Sequence, residues 1–269
     1  MRYTGLQPQY FPRLHYFARI LNTDIFVIRD DVQFVRKHKY PDGKTDKSYQ
    51  ADTPIKQSTG VQLLSVPVKH VGEYTSIAKT AISYDADWVG SHLKTVGFVF
   101  AKLTNFSTLF SSLTQLLQSK YQRLSDLTSA TIFWGILILL GENVTPQKLT
   151  LDYINLLLKK QRRFRLKQIQ MATETEVVKQ FTTESANEKI LALIKSIGAN
   201  EDYCGGTAVA AYLDKGIFAR NGITINVQNW RCQQYPQLFM RQQGFIPNLS
   251  IIDLLMNVSA MEAAAILKG

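Results

Sequence analysis

Residues 5–17 read GLQPQYFPRLHYF, so Gln7, Gln9, Tyr10 and His15 crowd a segment bent by Pro8 and Pro12 behind a short apolar start. In an α/β sheet the turn after the first strand is where a ligand crevice is built. Gln7, Gln9 and Tyr10 are therefore candidate substrate binders, and His15 is a candidate proton-transfer group. The competing reading is that these side chains satisfy backbone groups of a proline-bent loop.

Three further constellations carry chemistry. Asp30 and Asp31 end a second apolar run, DIFVIR, where a carboxylate can orient an amine or serve as general base. Successive side chains on an extended chain point to opposite sides, so Asp31 is preferred, because Gln33 shares its face. His92 falls one helical turn after Trp88 and is the second histidine candidate for proton transfer. In YCGGTAVAAYL, Gly205 and Gly206 precede a short helix with Thr207 as expected N-cap, a turn that offers backbone N–H groups to a phosphate or carboxylate. A thiol at that helix start, Cys204, is a lesser candidate. Tyr235 and Gln237 stand in the amide-rich CQQYPQ, whose phenol and amides suit sugar or amide recognition. Asp253 is expected to brace a helix that Ser250 caps.

Other chemistries are excluded by what is missing. The chain has no GxxxxGK[ST] loop, GxGxxG, GxSxG or HExxH. His15, His38, His70 and His92 stand singly and not at metal-ligand spacing, and two cysteines, Cys204 and Cys232, make neither a disulfide framework nor a zinc site. No metal is expected, and an active site would have to be assembled from distant segments. The most apolar stretch, residues 130–140, is too short to span a bilayer. The first residues lack a signal-peptide pattern, so a cytoplasmic protein is expected.

The charge points to acidic partners. Lys and Arg number 31 against 21 Asp and Glu, a net charge of +10. Lys159, Lys160, Arg162, Arg163, Arg165 and Lys167 cluster in KKQRRFRLK. Such a run recruits an acidic macromolecule or is a solvated face. Base stacking would need interleaved aromatics, and this stretch contains only Phe164.

The elements that must position these residues read as α/β. LHYFARILN puts Leu14, Phe17, Ala18 and Leu21 on one helical face after Pro12, and DIFVIR follows as a buried strand. VRKHKYPDGKTDKSYQ reads as a hairpin excursion about Pro41-Asp42-Gly43. VQLLSVPV, RFRLKQIQM and ITINVQ read as strands, ANEKILALIKSIG as a helix, and a helix pair closes the chain. The expected fold is a Rossmann-like N-terminal sheet flanked by helices (residues 1–85), a central three-helix block (86–160) and a C-terminal mixed α/β part (161–269), within a single domain.

The ordered set Gln7-Pro8-x-Tyr10-Phe11-Pro12, Asp30-Asp31-Val32-Gln33-Phe34, Val66-Pro67-Val68, Trp88, His92, Gly205-Gly206, Tyr235-Pro236-Gln237 and Pro247-x-Leu249-Ser250-Ile251-Ile252-Asp253 resembles the WbqC-like family over nearly the whole chain. The resemblance implies an acyl- or aminoacyl-transferase acting on an amino sugar in bacterial surface-polysaccharide (O-antigen-type) synthesis, glycine being the commonest suggestion for the group moved. It implies a nucleotide-linked or lipid-linked amino sugar as acceptor, an acidic acyl donor such as a carrier protein or aminoacyl-tRNA, and no required cofactor. His15 or His92 with Asp31 would supply the base, and the glycine turn or Gln7 would stabilise the oxyanion. The chain departs from the family where Arg13-Leu14-His15 replaces a Trp-Gly pair and Ala51-Asp52 an Asn-Arg pair. An insertion before the second site offers His38, Lys44 or Lys47 in place of the lost arginine fork. Two alternatives stay open: an HxGH-type enzyme that uses ATP and Mg²⁺, with His15 at the phosphates, and a non-catalytic binding module.

Overall fold

The computed structural model describes residues 1–39, 45–70, 72, 74–181 and 185–269. The expected Pro41-Asp42-Gly43 turn, Lys44 and the side chain of His38 lie outside the described residues. The chain forms β1 (Arg2–Leu6), α1 (Leu14–Leu21), β2 (Ile25–Ile28), β3 (Lys37–Lys39), β4 (Thr45–Lys47), β5 (Asp52–Gln57) and β6 (Gly60–Ser65). The helices α2 (Trp88–Phe100), α3 (Phe106–Gln118), α4 (Leu124–Leu140) and α5 (Leu151–Lys160) follow. Then come β7 (Gln168–Met171), α6 (Glu176–Lys179), α7 (Ala186–Ser196), β8 (Glu201–Cys204), α8 (Gly206–Ala211), α9 (Lys215–Arg220), β9 (Thr224–Val227), α10 (Met240–Gln243), α11 (Ile251–Asn257) and α12 (Ala260–Lys268).

The principal sheet has five parallel strands in the order β7-β2-β1-β8-β9. In order of appearance along the chain this is 3-2-1-4-5, the doubly wound arrangement that reverses direction at its first strand. The switch point therefore lies between β1 and β8, where Arg2 pairs with Glu201 and Tyr3 with Asp202. β2 is buried at every position, IFVI, as a strand covered on both faces must be. The hairpins β3-β4 and β5-β6 stand apart from this sheet.

α1 buries Tyr16 and Ile20 as well as the expected Leu14, Phe17, Ala18 and Leu21, because it lies against α11 and α12 as well as the sheet. α4 is buried along nearly its whole length and ends on Gly141 in the left-handed region (φ 80°). Its Gly135 permits close approach to α1, since a Cβ there would lie 2.6 Å from the Phe17 ring. Among the described residues no helix is long and apolar enough to cross a membrane.

The structure departs from the sequence reading in particular places. The central block is four helices, because the chain breaks between α3 and α4 at Lys120, whose φ is positive (49°). The strand expected over RFRLKQIQM begins only at Gln168. Before it, the Gln161 side chain accepts from the Phe164 amide and donates to the Phe164 and Leu166 carbonyls, holding an irregular turn in place of a strand. β5 and β8 had no strand signal in the sequence reading.

Candidate active site

A cavity of about 120 Å³ opens where the carboxyl ends of β1 and β8 part. Tyr3, Gly5 and Gln7 line it from β1 and the turn that follows, Arg19 from α1, Arg29 from the end of β2, and Asp202, Cys204 and Gly205 from β8 and the turn beyond. Gly5 makes room for the Tyr3 phenol, because a Cβ would fall 2.1 Å from its hydroxyl. That hydroxyl is buried without a well-formed hydrogen bond among the described residues, and burial raises its pKa far above the ordinary range.

Asp202 is the acid of this cavity. It is 4% exposed, and its carboxyl has no hydrogen-bond or ion-pair partner among the described residues. Burial pushes its pKa from the ordinary 3.8 up to about 7, against the pull of Arg19 and Arg29. A carboxyl titrating there can both accept and return a proton at neutral pH. Burial also drives the Cys204 thiol up to about 11, which leaves little thiolate.

The arginines differ in how they are held. Arg29 makes a bidentate pair with Asp31, Nε to Oδ1 at 2.7 Å and Nη2 to Oδ2 at 2.9 Å. Arg19 donates from Nε to Gln228 Oε1 (2.9 Å), and Gln228 in turn donates to the His15 carbonyl (2.9 Å). Its terminal nitrogens have no protein partner among the described residues. They lie against Gly205, where a Cβ would come within 2.7 Å of Nη2. The result is a fixed guanidinium whose remaining donors suit a carboxylate, phosphate or oxyanion.

Of the residues chosen from sequence, Gln7 and Gly205 line the cavity, and the segment of Asp31 reaches it through Val32. Gln7 accepts from Gln50 through its side-chain oxygen (2.8 Å). Asp31 is held in the Arg29 pair, while Asp30 accepts from the Thr173 amide (3.0 Å) and hydroxyl (2.5 Å). The two carboxylates thus face different partners, as an extended chain requires. Gln33 is exposed beside Ser76, and Gln9 buries its side-chain oxygen without a partner among the described residues. Thr207 and Gly206 are exposed in the first turn of α8, and the N-cap is Gly205 rather than Thr207.

The histidines sit elsewhere. His15 Nδ1 lies 3.0 Å from Asn248 Oδ1, an oxygen that also accepts from the His15 amide, so Nδ1 carries the proton. Burial, aided by Arg19 and Arg13, lowers its pKa to about 4. His92 is buried beneath Trp88, with Nδ1 3.0 Å from the Tyr10 hydroxyl, and burial lowers its pKa to about 4 as well. Both imidazoles are neutral at physiological pH.

Tyr235 and Gln237 belong to a buried brace. Tyr235 donates to Asp253 (2.8 Å), and Gln237 accepts from Lys56 Nζ (3.0 Å) while bonding the Ile246 backbone in both directions. Ser250 caps α11 by accepting from the Asp253 amide, but the Asp253 carboxyl turns to Tyr235 and closes no capping box. In the basic run, Arg165 pairs with Asp24, Arg163 donates to the Leu139 carbonyl and Lys167 to the Gln161 and Phe164 carbonyls. Lys159, Lys160 and Arg162 are exposed and have no such partners among the described residues.

Tyr3, Arg19, Arg29 and Asp202 were not among the residues chosen from sequence. The available signal was weak: Arg19 follows His15 by one helical turn, and Asp202 closely precedes the glycine pair. No group of His, Cys, Asp and Glu among the described residues could hold a metal ion.

Five parallel strands wound in both directions from β1, with helices packed on the sheet, define a Rossmann-like α/β fold. The chain belongs to the WbqC-like protein family, whose model matches residues 7–265. It is also similar to the uncharacterized protein Rv1507c of Mycobacterium tuberculosis, 24% identical over 258 residues that cover 95% of this chain and 93% of that protein. No solved structure matches it.

Proposed function

We propose that the protein transfers a small acyl or aminoacyl group onto the amine of a nucleotide-linked or lipid-linked amino sugar destined for bacterial surface polysaccharide. The observation that carries this reading is the Asp202 carboxyl, poised near neutrality beside the free end of Arg19 in a small cavity at the switch point. Membership of the WbqC-like family is consistent with this reading, while the reaction itself is argued from the site.

The chemistry maps onto these residues. The amine attacks the donor carbonyl, a C–N bond forms, and the thioester or ester bond of the donor breaks. Asp202 takes the proton of the attacking nitrogen and returns it to the departing sulfur or oxygen. Arg19 opposes the negative charge that develops on the carbonyl oxygen. A cavity of about 120 Å³ holds on the order of four waters, room for a glycyl-sized group and not for a sugar nucleotide. The bulk of donor and acceptor must therefore lie outside it. The nucleotide-dependent alternative places His15 at the phosphates, and the hydrogen bond to Asn248 weighs against that.

The test is a mass-spectrometric transfer assay that offers glycyl-tRNA and glycyl carrier thioesters with a panel of UDP-amino sugars. A gain of one acyl mass is expected, reduced about 10²–10⁴-fold in Asp202→Asn. No gain with any pair, or an unimpaired Asp202→Asn variant, would refute the proposal.

A further inference from the structure

Side chains along β8 alternate in direction. Asp202 and Cys204 face the cavity, and Tyr203 faces the other side of the sheet. There a groove of about 630 Å³ is lined by Arg2, Tyr203, Asn226, Trp230, Arg231 and Lys268. We infer that this groove, extended by the exposed basic residues Lys159, Lys160 and Arg162, is a binding surface for single-stranded RNA.

The lining carries both parts of such a surface. The Tyr203 ring lies under the Arg2 guanidinium, 4.6 Å from the ring centre. The half-buried Trp230 indole is fixed by donating to the Ile266 carbonyl (3.1 Å). Fixed aromatic rings and a guanidinium plane are platforms on which bases stack, and amide side chains such as Asn229 and Gln233 of this groove read base edges.

The charge is placed to follow a backbone. Arg2 is neutralised by Glu201 (2.8 Å) and Arg165 by Asp24 (2.8 Å). Arg231 and Lys268 have no ion-pair partner among the described residues. Asp24 also accepts from the Arg2 amide (2.7 Å), and Lys268 Nζ stands 5.8 Å from the centre of the Phe164 ring, so the basic run adjoins the groove. Arg231 and Lys268 thus line the groove unneutralised, and Phe164 of the basic run that also holds Lys159, Lys160 and Arg162 stands beside Lys268. An acidic protein would be served by the charge alone, whereas the aromatic and amide lining fits nucleotides.

The inference deepens the transfer reading and rests on it in one respect. Asn22, at the end of α1, lines the groove one turn beyond Arg19, which lines the cavity. α1 thus touches both, and an aminoacylated RNA held in the groove would have to pass along it, round the sheet, to bring its end to the cavity.

The test is fluorescence anisotropy with a labelled single-stranded RNA of about twelve nucleotides, titrated from about 50 to about 200 mM salt. Binding should weaken steeply with salt. In Arg231→Gln/Lys268→Gln the affinity should fall at least about tenfold, and the log–log salt slope should flatten by about 1.4, the loss of two phosphate contacts. RNA should also quench tryptophan emission, a signal carried by Trp230 because Trp88 and Trp134 are buried. Thermal melts check that the variants are folded. Absent binding at about 50 mM salt, an unchanged slope in the double variant, or a carrier protein that occupies the groove while RNA does not would each overturn the inference. RNA binding without acyl transfer removes the transferase and leaves the surface, and transfer from a carrier thioester without RNA binding does the reverse.

Discussion

Replacing Asp202 with Asn should make the protein more stable at neutral and alkaline pH while lowering transfer about 10²–10⁴-fold. The carboxyl has its pKa raised from 3.8 unfolded to about 7 folded, because burial penalises the charge more than Arg19 and Arg29 repay. A raised pKa means that the folded state binds the proton more tightly. The stability that Asp202 contributes is therefore fully present below about pH 4, declines as pH rises, and is lost once pH passes the folded value near 7. Each pH unit in that window costs about 1.4 kcal/mol, so the full loss is about 4 kcal/mol. Asparagine has nearly the same shape and no such titration. Urea unfolding at intervals from pH 4 to pH 9 should show wild type and Asp202→Asn diverging between about 4 and 7, then running parallel, with the variant the more stable by a few kcal/mol. Transfer by the wild type should rise over the upper part of the same window. Curves that stay parallel throughout would show that Asp202 is not buried as an acid, and the proton-transfer role would fall with it.

Other outcomes follow from the same contacts. His92→Ala removes the partner of a buried tyrosine hydroxyl and should cost about 1–3 kcal/mol, read by urea melts, with activity per folded molecule retained. Gly205→Ala drives a methyl group into the Arg19 guanidinium and should lower transfer at least about tenfold, a barrier change of about 1.4 kcal/mol, with little change in melting temperature. Arg165→Ala breaks a partly exposed ion pair with Asp24 and should cost up to about 1 kcal/mol. Arg162→Ala should stay within about 0.5 kcal/mol in the same thermal melts.

Much of the frame was legible where periodicity was strong. Leu14, Phe17, Ala18 and Leu21 gave α1 and IFVI gave β2, and of the polar turn between β1 and α1 it is Gln7 that lines the cavity. β8 was illegible because EDYC is only four residues long and mixes charged with apolar groups, so it has no pattern to count. Asp202 and Arg19 were hidden for a related reason: their significance arises only when β8 docks beside β1, and no spacing in the chain records that. The histidines drew attention by residue type, yet burial and committed partners such as Asn248 and Tyr10 decide their state, and neither is visible locally. The basic run likewise looked uniform, although Arg163, Arg165 and Lys167 are spent on the fold and Lys159, Lys160 and Arg162 are not.

The order of the strands sets a timetable for biogenesis. β1 emerges first and can pair with β2 almost at once, but its other edge is covered only by β8, whose first pairs are Arg2 with Glu201 and Tyr3 with Asp202. At about 5–20 residues per second, the intervening chain takes roughly 10–40 s to synthesise. Throughout that interval the nascent N-terminal segment presents an unpaired strand edge, the kind of template on which chains associate wrongly. The cavity, formed on both of these strands, comes into being only once β8 has been made, so a ribosome-bound precursor shorter than that lacks it.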